Sequence, residues 1–279
     1  MAKQLATITL IGHDKAGVIA RITQLLFQLG ANIEAMEEQV TRGQFSMTLQ
    51  ASWTPARFDR TRIQQGVRET ALALDMDGKI HFAPVGPQRM AILVTRESHV
   101  LEGLLGQSLT KLGAQPVVVI GNRPVLAPLA RQKKLPFYHV PFNDRAKAEQ
   151  QVLQLLDKHE VDFIVLARFM KILSPNFVWR WKNKIINIHP SLLPAFPGAN
   201  AYRQAYERGV KVVGVTAHFV TPNLDEGPII AQEVLLVRSN ETLGSIVKRG
   251  QALETRCVLR AVRAYVTKRL DVHWGRVYS

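Results

Sequence analysis

The chain has 279 residues, 47% of them hydrophobic, with a formal net charge of +14 and one cysteine. That length is enough for one large or two modest domains, each burying a core. No apolar run reaches the ~20 residues of a membrane span, Met1-Ala2-Lys3-Gln4 lacks a signal-peptide core, and Cys257 alone cannot close an internal disulfide. A cytoplasmic protein held together by packing is the expectation.

The positive charge raises nucleic acid as a partner, but no aromatic-basic interleaving or zinc spacing accompanies it, so no nucleic acid and no membrane partner is expected. The excess is uneven. Residues 1–84 hold 9 Lys/Arg against 8 Asp/Glu, and the remainder holds 27 against 14. Lys248 to Arg269 alone carries seven basic residues and one acidic. Such a stretch is either a solvated helix face or a field that draws an acidic substrate.

In chain order, Leu5 to Ile11 predicts a strand with Ile8 and Leu10 on one face. Gly12 to Gly17 is a polar turn in which Asp14 is placed to cap the next helix. Val18, Ile19, Ile22, Leu25, Leu26 and Leu29 repeat at helical spacing, and Gly30 stops that helix. Ile33 to Thr41 and Gln44 to Trp53 are strands joined at Arg42-Gly43. Arg57 to Leu74 is a second helix and Lys79 to Phe82 a last strand. This βαββαβ order is the ferredoxin-like split. Ala83 to Pro87 reads as a linker, so the expected division is 1–84, a linker at 85–88, and 89–279.

From Arg89 strands and helices alternate, which implies a mostly parallel sheet with crossovers. Strands are predicted at Met90–Val94, Gln115–Ile120, Pro136–Val140 and Phe163–Ala167. Helices are predicted at Val100–Leu112, Pro124–Lys133, Ala146–His159 and Asn176–Trp181. Lys211–Val220 and Ile229–Val237 read as later strands antiparallel to each other, and Glu241–Lys268 as one long helix that carries Cys257 as a small packed residue.

Between them lies the densest stretch, Asn187-Ile188-His189-Pro190-Ser191-Leu192-Leu193-Pro194, after the buried lead-in Lys184-Ile185-Ile186. Side chains alternate along a strand, so Asn187 and His189 share a face. Pro190 ends the ladder, and Pro194, Pro197 and Gly198 shape the exit. Asn223 to Gly227 is a polar turn, and Asp225 is a candidate carboxylate for an imidazole. Read alone, His189 is equally a strand-end histidine and Asp225 a turn residue. Thr216 and His218 share a face of the next strand, either as a cross-strand polar pair or as support behind the site. Ligands in open α/β sheets bind at the carboxyl ends of strands, where Asn187, His189 and the loop after Ala167 all fall.

The Asn-x-His-Pro-Ser-Leu-Leu-Pro run, followed 36 residues after the histidine by Asp-x-Gly, resembles the signature of folate-dependent formyl transferases over about Arg89 to Ser279. The resemblance implies a Rossmann-like domain with Asn187, His189 and Asp225 as catalytic residues. It also implies a pterin pocket at Ala167–Leu173, contacted by Met170, Lys171, Leu173, Val178 and Thr221, with Thr216 and His218 in support. Asp14-Lys15-Ala16-Gly17-Val18-Ile19-Ala20 and Gly30-Ala31-Asn32-Ile33 resemble an ACT domain. ACT domains pair and sense small amino acids, which implies Asp14, Gly17 and Asn32 as effector contacts.

Transformylases that use a phosphorylated amine carry a glycine-rich loop after their first strand, whose amides cradle the phosphate. Here Thr95-Arg96-Glu97-Ser98-His99 stands in that place, with no glycine. That loop, Leu166 to Met170, and Arg249-Gly250-Gln251-Ala252-Leu253-Glu254 resemble the formyltetrahydrofolate deformylases nearly end to end. Those enzymes commonly read His-His-Ser-Phe-Leu-Pro where this chain reads His189 to Pro194. The resemblance implies hydrolysis of 10-formyltetrahydrofolate to tetrahydrofolate and formate, no tightly bound cofactor, no metal, glycine and methionine as effectors, and a homo-oligomer through the ACT domains. The rival readings are formyl transfer to an amine and an amino-acid sensor without turnover.

Overall fold

The first strand buries Ala6, Ile8 and Leu10 on one face and Thr9 and Ile11 on the other, and that strand lies inside the first of two units. In this computed structural model, which describes residues 3–41, 43–84, 86–107, 109–267, 270–273 and 275–278, compact units span Met1–Val85 and Gly86–Ser279. The first unit runs β1 (Gln4–His13), α1 (Val18–Gln28), β2 (Asn32–Thr41), β3 (Gln44–Trp53), α2 (Arg60–Ala73) and β4 (Met76–Phe82). Its sheet has the order β2-β3-β1-β4 with every neighbouring pair antiparallel. Val18, Ile22 and Leu26 of α1, and Ile63, Val67 and Ala71 of α2, fall at fourfold spacing and close one core against that sheet.

The second unit runs β5 (Gln88–Val94), α3 (His99–Gly106), β6 (Ala114–Gly121), α4 (Ala127–Gln132), β7 (Phe137–His139), α5 (Arg145–Lys158), β8 (Phe163–Ala167), α6 (Pro175–Arg180), β9 (Ile185–His189), α7 (Ala201–Glu207), β10 (Val212–Phe219), β11 (Ile229–Leu236), α8 (Leu243–Thr267), β12 (Asp271–His273) and β13 (Arg276–Tyr278). Seven strands form one sheet in the order β11-β10-β9-β8-β5-β6-β7. The five strands from β9 to β7 are parallel, and β10 and β11 are antiparallel to their neighbours. The central strands are apolar on both faces, as a covered parallel sheet requires. Met90, Ile92 and Val94 pack with α3 and α8 on one side, and Ala91 and Leu93 pack with α5 and α6 on the other.

Some local expectations change. Asp14 does not cap α1. The N-cap is Gly17 in the left-handed region (φ 88°), and the Asp14 N–H donates to Gly43 O at 2.9 Å. α2 begins late because Asp59 accepts from Arg62 N at 3.0 Å, behind a short 3-10 turn at Pro55–Arg57. The helix expected over Val100–Leu112 is α3 followed by a 3-10 turn at Leu109–Leu112, since Gly106 ends it and Gln107 is extended. The β12–β13 hairpin carried no sequence signal. Arg42 of the expected hairpin turn, Val85 of the linker and the helix end at Lys268 lie outside the described residues.

α3 and α8 meet at Gly103, where an added Cβ would sit 2.1 Å from Thr255 Cγ2. Two effects oppose one another on Gly103→Ala: alanine gains about 1 kcal/mol of helix propensity, and overpacking costs about 1–3 kcal/mol. The clash should win in the single variant, with a fall in Tm. Thr255→Ser removes Cγ2 while keeping the hydroxyl that donates to Gln251 O. The pair should therefore regain most of the lost stability in a thermal-unfolding cycle. Additive losses would place the strain elsewhere.

Candidate active site

The register between β9 and β10 builds the site. Asn187 lies opposite His218, and His189 opposite Thr216, so four polar side chains share one face of two adjacent strands. Three of them are nearly closed to solvent: His189 is 5% exposed, His218 2% and Thr216 0%. Buried polar groups need partners, and the partners fix what each side chain presents.

His218 Nδ1 lies 2.9 Å from Phe219 O. A carbonyl only accepts, so Nδ1 carries the hydrogen and Nε2 is left to accept from Asn187 Nδ2 at 3.1 Å. Burial lowers the His218 pKa from its ordinary value, against the opposing pull of Phe219 O and Asp225, which agrees with a neutral ring. Asn187 thus has one N–H committed to His218 and a second free.

His189 is fixed from the other direction. Its Nε2 lies 3.0 Å from Phe196 O and must carry a hydrogen. Its Nδ1 faces Asp225 Oδ2 at 3.4 Å. The same Oδ2 accepts from Gly198 N at 2.8 Å, and Oδ1 stands 3.8 Å from His218 Nε2. Asp225 reaches this position from a left-handed backbone (φ 57°). Its turn is bonded internally through Thr221 Oγ1 to Asn223 O and Asn223 Nδ2 to Glu226.

Thr216 stands behind the constellation. It donates to Ser191 O at 2.8 Å and accepts from Leu193 N and Gln232 Nε2, each at 3.0 Å. It holds the 190–193 loop in place.

A pocket of about 280 Å³ opens onto Asn187, His189, His218 and Asp225. Met170, Lys171, Leu173 and Thr221 line it as well. Val178 does not: α6 turns it into the core with Phe177, Trp181 and Ile185. The 168–174 loop is held from both ends. Thr95 Oγ1 accepts from Met170 N at 2.9 Å, and Glu149 accepts from Ser174 N and Ser174 Oγ.

Three features of the site carried no clear sequence signal: the Phe196 carbonyl on His189, the Gly198 amide on Asp225 and the Thr95 hydroxyl. Only Gly198, flagged as a turn residue, was within reach of sequence reasoning. In the first unit Asp14, Gly17 and Asn32 are exposed. Asn32 is engaged with Glu34, whose carboxyl is held near 2 by bonds from Ser52, Asn32 and Lys3. Cys257 is buried, and burial pushes its thiol up to about 11.

The family model described as formyl transferase matches residues 88–262, and the model described as ACT domain matches residues 4–82. A Bacillus subtilis (strain 168) protein named formyltetrahydrofolate deformylase is 37% identical over 266 residues, spanning 93% of this chain and 88% of the relative. The chain belongs to the formyltetrahydrofolate deformylase family. A relative of the same name from Mycobacterium tuberculosis (strain ATCC 25618 / H37Rv) is 39% identical over 94% of this chain and 86% of its own length. The crystal structure of a formyltetrahydrofolate deformylase from Pseudomonas syringae pv. tomato str. DC3000 matches with a TM-score of 0.67 and 31% identity, covering 99% of this chain and 94% of that one. Glycinamide ribonucleotide transformylase 1 from Symbiobacterium toebii matches at 0.66 with 34% identity. It covers 95% of its own chain and 71% of this one. The deformylases match both units, and the transformylase covers much less of the chain.

Gly227 closes the Asp225 turn against β10. A Cβ there would lie 1.6 Å from Phe219 O and 3.2 Å from His218 Nδ1. The obstacle is backbone, so Gly227→Ala must displace the turn. It should cost about 1–3 kcal/mol in chemical denaturation and depress turnover further than that loss of folded protein explains, because Asp225 moves with the turn. Unchanged turnover per folded molecule would separate Gly227 from the placement of Asp225.

Proposed function

We propose that this pocket hydrolyses 10-formyltetrahydrofolate to tetrahydrofolate and formate, with Asn187, His189 and Asp225 as the catalytic residues. The observation that carries the assignment of roles is the division of labour among hydrogen bonds. Asn187 keeps one N–H free toward the pocket, while His189 Nδ1 and Asp225 Oδ2 face each other at the same wall.

Water adds to the formyl carbon. The carbonyl oxygen becomes an oxyanion and receives the free Nδ2–H of Asn187, a donor that its bond to His218 holds in place before reaction. The Asp225 carboxylate takes the water's proton and becomes the neutral acid, and His189 lies beside the oxyanion and relays that proton toward N10. With Nε2 committed to Phe196 O, Nδ1 is the nitrogen through which His189 exchanges protons. The C–N10 bond then breaks as the proton passes to N10. Formic acid leaves and loses its own proton to solvent. Met170, Lys171, Leu173 and Thr221 hold the folate. No step requires a bound cofactor.

The first unit is read as a sensor and pairing module. β2 is an edge strand with Ile33, Met36 and Val40 exposed. Edge strands of this kind are templates for pairing with another chain, which supports a homo-oligomer. Glycine or methionine is the proposed effector, near Asp14, Gly17 and Asn32.

Asn187→Ala should lower kcat by about 10²–10³-fold, the usual worth of one oxyanion donor, with folate binding little changed. His189→Ala and Asp225→Ala should each be nearly inactive, and the double variant little worse, because parts of one unit are not additive. Formate release measured on the four proteins tests this. Losses that multiply independently would mean the two residues do not act together.

A ligand shifts activity only by binding two states differently. Methionine should therefore raise turnover or glycine lower it, and Asn32→Ala should weaken that response while basal turnover stays near the parent value. Calorimetry at millimolar amino acid tests binding directly. If neither amino acid gives heat, the first unit serves assembly alone.

A further inference from the structure

The chain order reverses direction across the sheet at β5 and β8. From β5 the chain proceeds outward to β6 and β7, and from β8 it proceeds the other way to β9 and β10. In an open α/β sheet the crevice beyond such a switch point is the natural ligand site, and the strand–helix turns beside it present amides that suit an anion. Here the turns after β5 and β8 do not gape. Three bonds tie them together: Thr95 Oγ1 accepts from Met170 N at 2.9 Å, and Glu97 accepts from Arg168 with both oxygens, at 3.0 Å from Nη2 and 3.2 Å from Nε.

Behind this pair lies a second carboxylate. Glu254 of α8 is fully buried and stands 3.6 Å from Arg168 Nε. It accepts from the Tyr202 hydroxyl at 2.8 Å and meets His99 Nε2 at 3.0 Å. His99 Nδ1 is 3.8 Å from Glu97. Burial opposes the charge on Arg168, but Glu254 and Glu97 outweigh it and hold the guanidinium above its ordinary pKa. Burial and then the Glu254 carboxylate push Tyr202 upward. The guanidinium is therefore neutralised within the protein, between two carboxylates. Arg168 is also the group that the cluster shows to the pocket, and its backbone is left-handed (φ 56°).

We infer that the Thr95–Met170 and Glu97–Arg168–Glu254 contacts form an acceptor filter, which closes the switch-point crevice to phosphorylated amines and leaves water as the formyl acceptor. The inference rests on the hydrolase reading above and deepens it by naming what sets acceptor choice. Glu97 is the discriminating residue. It is 39% exposed at its side chain, it does not line the pocket, and it is the anion that an incoming phosphate would meet at Arg168.

The test uses the full chain and Glu97→Gln, with Glu97→Ala as a second variant. Inorganic phosphate is titrated calorimetrically with no folate present. The parent should give no heat at millimolar phosphate, and the variants should bind on the order of tenfold more tightly, the effect of removing one like charge several ångströms away. In parallel, formate release from 10-formyltetrahydrofolate is followed with and without glycinamide ribonucleotide, a phosphate ester bearing a primary amine. The parent should be indifferent to the ester. The variants should still release formate without it and be inhibited by it. Variants that are folded and active but bind phosphate no better than the parent would overturn the filter, as would a parent that binds phosphate equally well. A parent that releases no formate would refute the hydrolase reading, while the calorimetry would still judge the filter.

Discussion

The antiparallel join of β9 to β10 is the constraint on which the site depends. Because strand side chains alternate, a shift of one residue in this register would send Asn187 and His189 to the opposite face. The observed pairing is locked by apolar neighbours on the other parity: Ile186 opposite Phe219 and Ile188 opposite Ala217, all buried. The chemistry of the polar face is thus specified by packing on the apolar one. Moving Asn187 away from His218 would expose Ile188 and break a core at the same time. Thr216 extends the logic into the loop, since its one hydroxyl satisfies Ser191 O and Leu193 N. The exit from β9 cannot drift while β10 stays in place.

Arg168 and Asp225, both at the pocket, hold left-handed backbone conformations at φ 56° and 57°. Such positions cost about 1–3 kcal/mol each when a side chain is present, so the surroundings must over-determine them. For Asp225 they do: the carboxylate gains Gly198 N and His189, and Gly227 behind it leaves no room for the turn to relax toward β10. For Arg168, two carboxylates and the Thr95 bond to Met170 do the same. In both cases the charged group lies across a gap between elements that are far apart in sequence.

That separation explains how much of the molecule was legible beforehand. Strand and helix order follows from short-range periodicity, and Phe163–Ala167 emerges with the bounds read from sequence. Asn187 and His189 are two residues apart on a strand, so their shared face is a local fact. Glu97 and Arg168 are 71 positions apart, and nothing local pairs them. The Phe196 carbonyl bonds His189 because of the path the 190–200 loop takes, which no residue-type pattern encodes. Val178 was legible as apolar but not as core rather than pocket, because one helical turn decides which way it faces. Asp14 had the right chemistry for an N-cap, and the left-handed Gly17 placed the helix start beyond its reach.

Charge acts on two length scales in the second unit, with opposite signs. The excess of 27 Lys/Arg over 14 Asp/Glu after residue 84 gives a field that attracts anions, felt over roughly 8–10 Å at physiological salt. Within the switch-point crevice the near field comes from Glu97 and Glu254, one partly exposed and one fully buried, which engage Arg168 and His99. Interactions at 3–4 Å in a partly buried setting outweigh a screened distant excess. An anionic molecule is therefore drawn to the unit as a whole but not into that crevice. The basic surface and the acidic cluster do not conflict: one sets how often an anion arrives, and the other sets where it can rest.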